Sequence, residues 1–166
     1  MTTLSLLREA MTNFLSEKGI SALSAWPGTA RLRSDGPVAV VQVQGMEAGE
    51  SGFQNYLGQI YDQSRGDWKE RFGQRLTVHF AIDLYSPETY GEAGCREVLD
   101  EVAEALQFSA PAGFTVERWS MGEIRYEEKS RRFRGRLTAQ CRAVLVASSD
   151  EYGGLLDIGI QGGITV

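Results

Sequence analysis

A single histidine in a chain of 166 residues removes much of the side-chain chemistry that proteins run near neutral pH. The two cysteines, Cys95 and Cys141, add little to His79: together the three fall short of the four ligands a structural zinc needs. Two cysteines do not make a disulfide framework either. No apolar run approaches the roughly 20 residues that span a bilayer, so no membrane partner is expected. Positive charge is in deficit, with 17 basic against 22 acidic side chains and a net charge of −5. That balance argues against a chain that grips DNA or RNA through its overall charge. Neither the G-x-G-x-x-G of a dinucleotide site nor the G-x-x-x-x-G-K-[ST] of a P-loop occurs. The N-terminal stretch carries acids and polar residues through its apolar part, unlike a signal peptide, and the expected place of synthesis is a cytosol.

What is present is patterned. Leu4, Leu7, Met11 and Leu15 fall on one face of a helix that Gly19 ends. From Ile20 to Gly45 the Asp35–Gly36–Pro37 cluster marks a turn, and Val41 and Val43 alternate with Gln42 and Gln44. This pair reads as a β-hairpin, followed by a flexible tip at residues 47–52 and a further strand over residues 53–63. From Arg75 to Tyr85, Leu76, Val78, Phe80, Ile82 and Leu84 face one way and Thr77, His79, Asp83 and Tyr85 the other. A loop with Gly91 and Gly94 leads into a helix whose apolar stripe holds Cys95, Val98, Leu99, Val102 and Leu106, with acids opposite. A closing hairpin runs from about Phe114 to Tyr126 and from about Phe133 to Ala147. The expected fold is α+β: a mostly antiparallel sheet packed against two helices over residues 1–148, with an extended C-terminal arm at 149–166.

No residue set stands out as catalytic, and no cofactor or metal site is expected. Cys95 lies in the first helical turn, where a helix dipole could activate a thiol. A nucleophile also needs a base, however, and strand alternation sends His79 to the other side of the sheet. The carboxylates Asp62, Asp67, Asp83, Glu88, Glu123, Glu127 and Glu128 are scattered. The run "KSRRFRGR" puts Arg132, Arg134 and Arg136 on one strand face. Three roles suit it: pairing with Glu123, Glu127 and Glu128 across the hairpin, contact with an acidic neighbouring subunit, or nucleic-acid binding. The arm carries Leu156, Ile158 and Ile160 in alternation among glycines, a pattern suited to strand addition onto an apolar surface. These six residues are the expected partner contacts.

The element order, and above all "RLTVHFAIDLYSP" leading through a glycine loop to an amphipathic helix and a closing hairpin, resembles the tail terminator proteins of long-tailed bacteriophages and related contractile particles. The resemblance covers roughly residues 1–147 and rests on pattern and the Asp83–Pro87 turn. It implies a non-enzymatic structural subunit of a hexameric ring at the head-proximal end of a virion tail. Such a ring stops polymerisation of the tube, and of a sheath where there is one, and meets the head connector or collar. Another neck or head-completion protein, or a small nucleic-acid-binding module, are the alternatives.

Overall fold

The computed structural model describes residues 3–24, 35–50, 55–150 and 155–161. Helix α1, Thr3–Glu17, buries Leu7, Met11, Phe14 and Leu15. Leu4 was expected on that stripe but is 47% exposed; Phe14, one turn beyond Met11, joins the buried face instead. The helix closes with the Ile20 amide donating to the Leu15 carbonyl and the Gly19 amide to that of Ser16. This paired-carbonyl end requires a left-handed residue, and Gly19 supplies it at φ +81.

The strands are β1 (Ala22–Leu23), β2 (Val38–Glu50), β3 (Tyr56–Asp62), β4 (Asp67–Pro87), β5 (Thr115–Met121), β6 (Arg125–Glu127), β7 (Arg132–Ser149) and β8 (Leu155–Gln161), with helix α2 (Gly91–Phe108) between β4 and β5. They form one sheet in the order β1-β2-β4-β7-β5, with β3 on β4, and β6 and β8 on β7. All pairings are antiparallel except β1 with β2. The fold is therefore the expected α+β arrangement, two helices on a largely antiparallel sheet.

The spine is the β4–β7 ladder, in register from Glu70 opposite Ser149 to Pro87 opposite Arg132. Strand alternation then divides its side chains. Leu76, Val78, Phe80, Ile82 and Leu84, with Leu137, Ala139, Cys141 and Ala143, face the helices and are buried. Each large side chain so placed contributes about 1.5–3 kcal/mol before chain entropy is subtracted. Helix α2 lays Cys95, Leu99, Val102 and Leu106 on this face. Gly135 permits its approach, because a Cβ there would collide with the Leu99 side chain.

Three local expectations change. Before β2, Ala22 and Leu23 pair parallel to Ala39 and Val40, not antiparallel as in a hairpin, and the rest of the expected hairpin arm, residues 25–34, lies outside the described residues. The expected tip at residues 47–52 is strand through Glu50, held by β4 from Thr77 to Gln74, and residues 51–52 lie outside the described residues. The glycine loop is not a loop, since Gly91 and Gly94 belong to the first turns of α2. Gly94 makes room for Tyr90, whose Cβ would sit 2.9 Å from an added Cβ.

Beyond the helices, the ribbon continues as a four-stranded wing of β3, β4, β7 and β8. The β3–β4 turn is built locally: Asp62 Oδ1 accepts hydrogen bonds from the Ser64 amide at 3.0 Å and hydroxyl at 2.6 Å. Gly66 follows at φ +69, its amide donating to the Asp62 carbonyl.

Candidate functional site

The arginine run and the C-terminal strand were the expected contact residues, and they occupy different parts of the sheet. Asp83 and Arg136 stand directly opposite each other on β4 and β7, on the face away from the helices. Asp83 is fully buried and accepts from Arg136 Nε at 2.7 Å, Arg136 Nη2 at 3.0 Å and Arg134 Nη2 at 3.3 Å. The two-pronged bond from Arg136 is the strong, oriented kind, and it raises the Arg136 pKa further. Arg134 also lies over the Tyr85 ring, 5.6 Å from its centroid. Burial pushes the Tyr85 hydroxyl up. Arg134 and Arg136 thus find their anion in the central strand, not in Glu123, Glu127 or Glu128. Arg132 stands opposite Glu127 in the β6–β7 register, while Glu88 pairs with Arg131 at 3.4 Å.

Further along the same face the sheet opens into a shallow polar depression of about 390 Å³. His79 and Gln140 form its floor, with Gln44 on one side and Arg118, Ser120 and Thr138 on the other. Ser120 Oγ and Thr138 Oγ1 hydrogen-bond to each other at 2.8 Å. Gln140 accepts from Arg118 and donates to Glu117, which also pairs with Arg142 at 3.3 Å. These are amide, hydroxyl and guanidinium groups arranged to hold polar or anionic surface. His79 lies on this face, whereas Cys95 is on α2 on the other, so the two do not meet. Burial raises the Cys95 thiol and pushes the Cys141 thiol up to about 12, which keeps both protonated near neutral pH. Among the described residues, no three of His, Cys, Asp and Glu gather to hold a metal ion. No described helix is long and apolar enough to cross a membrane.

The wing carries apolar surface of which only Ile158 was among the expected contacts. Tyr56, Phe72, Ala147 and Ile158 stand side by side across its four strands, on the face that bears the helices further along. Tyr61 and Trp68 pair at its tip. Tyr56 meets Phe72 at 5.5 Å between ring centroids, and Tyr61 meets Trp68 at 5.4 Å. Nevertheless Tyr56, Tyr61, Trp68, Phe72, Leu155 and Ile158 are each between 36% and 69% exposed. The signal for this patch was present in the aromatic pairs flanking the turn at residues 62–67, but it needed the strand register to become a surface.

The described part of the arm, β8, pairs with β7 of its own chain. Ile160 is half-buried against the core and Leu156 is half-buried, while Ile158 remains open. The backbone carbonyl of Ile160 would lie 2.8 Å from a Cβ added at Gly113. Residues 151–154 and 162–166 lie outside the described residues. The chain matches no protein-family model and no curated protein.

Proposed function

We propose that this chain is a structural subunit of a closed ring that caps the head-proximal end of a phage or phage-like tail tube. The observation that carries the reading is the wing. Taking about 200 Å² for each large side chain, its six part-exposed apolar residues expose on the order of 600 Å². That equals the largest patches of ordinary monomers and approaches the ~800 Å² that each partner contributes to a standard interface. The outer edges of β3 and β8 flank this patch and have no partner strand among the described residues. Open edges beside an apolar face invite association and are usually covered in the working assembly. An assembly subunit accounts for both features, and the sequence resemblance to tail terminators supplies the kind of assembly. Within this reading the ring ends tube growth and offers its far side to the head or collar.

The test is to add the labelled protein to tube subunits of the same particle during polymerisation. Label at one end of tubes of limited length is the expected image. Label along the whole tube, or tubes that grow unchanged and unlabelled, would overturn the reading.

A further inference from the structure

The two faces of the sandwich carry opposite charge. On the helix-free face of the sheet, Arg75, Arg118, Arg134, Arg136 and Arg142 outnumber Asp83, Glu47 and Glu117. On the opposite side, the outer surface of α2 exposes Glu92, Glu97, Asp100, Glu101 and Glu104, with Arg96 as the one cation among them. Arg96 is engaged by Glu92 at 3.2 Å. No described element covers the sheet face around the depression, where Arg118 and Arg142 are exposed.

We infer that the open part of this face, around the depression between Arg136 and Arg142, is the docking surface for the acidic α2 face of a second copy of the same chain. The inference rests on the ring reading above and names the contact that would close the ring. Three observations carry it. The charges are complementary, which orients and steers association. The lengths agree: β7 rises about 20 Å from Arg136 to Arg142, and α2 rises about 18 Å from Glu92 to Glu104. The two surfaces also lie on opposite sides of one layer, α2 being packed against β4 and β7 from the other face. Such a contact uses a different patch on each partner. It is heterologous, and repetition with a rotation that closes gives a ring, not a two-fold dimer. The polar depression then receives carboxylates: Arg118, Gln140 and the Ser120 and Thr138 hydroxyls can each donate to them. The wing stays free for a different contact.

Two variants separate the surfaces. One reverses the helix, with Glu97→Lys, Glu101→Lys and Glu104→Lys; the other reverses the sheet, with Arg118→Glu and Arg142→Glu. Native mass and helical circular dichroism are recorded for each alone and for an equimolar mixture. The expected result is a folded monomer from each variant alone, and a closed oligomer when they are mixed, because the reversed surfaces complement each other. The unmodified protein serves as a second readout that no folding defect can confuse: its oligomer should loosen at least tenfold between 50 mM and 500 mM salt, as exposed charge pairs are screened. An oligomer that persists in both variants and ignores salt overturns this contact and leaves the ring reading standing. An unmodified chain that is monomeric at every salt overturns both. Variants that keep their oligomer but lose binding to DNA assign the sheet face to nucleic acid and overturn the inference.

Discussion

Asp83 shows how far one residue can depend on partners remote in sequence. Its carboxylate is fully buried, and the guanidiniums that satisfy it come from residues 51 and 53 positions later. A buried carboxylate without such partners would be costly. Replacing Asp83 with Asn keeps the shape and removes the charge, so Arg136 loses its two-pronged partner. Because both arginines are over a third exposed, solvent compensates in part. The expected loss is about 2 kcal/mol, read from urea denaturation as a lower midpoint with an unchanged slope. Cys141 gives a second residue-scale prediction. Burial raises its pKa from about 9 to about 12, so the folded state holds a proton that the unfolded chain releases in that window. Its contribution to stability is therefore complete below pH 9 and declines as pH rises from 9 towards 12. Unmodified protein should lose more stability than Cys141→Ala between about pH 8 and pH 10.5. Equal losses in the two proteins would contradict the buried-thiol account.

At the scale of elements, the sequence was most legible where one physical rule acted alone. Strict alternation from Leu76 to Leu84 and the helical stripe from Cys95 to Leu106 each named their buried faces, and all but Val98 of those residues are buried. Legibility failed where tertiary pairing overrode local signals. Glycines at 91 and 94 read as a loop because glycine is a poor helix former, yet close packing of Tyr90 on Gly94 selects it there. The short parallel strand β1 has no pattern of its own; it follows α1 by a few residues and pairs with the start of β2. The site was legible in part. Alternation placed Arg134 and Arg136 together, but their partner required the β4–β7 register, which no local pattern encodes. The aromatic wing was missed for the same reason. For β8, local sequence suggested strand addition to its own sheet edge or a neighbour's, and the described strand takes its own chain's edge, against Gly113. Gly113 has φ +83, so alanine there would meet both backbone strain and the Ile160 carbonyl. Gly113→Ala is expected to lower stability by about 1–3 kcal/mol and to speed hydrogen exchange in β8 before the central strands. Unchanged exchange in β8 would mean that the strand does not depend on this contact.

For the whole molecule, the sheet and helices divide the labour. The helix-covered half holds the core, and the half beyond the helices presents apolar and open-edged surface. Removing residues 152–166 should therefore leave α1 and α2 folded, with helical circular dichroism retained, while exposing the β7 edge and impairing assembly. A truncated chain that loses its helices would make β8 part of the folding core. The claim on which the rest depends is that this 18.3 kDa chain closes into a ring. Native mass spectrometry of the intact protein, with electron microscopy of the same sample, tests it most directly. The account predicts one dominant species of about 110 kDa, six times the chain mass, that appears end-on as a closed six-fold ring. A monomer at every concentration, or an open filament without closure, would contradict it.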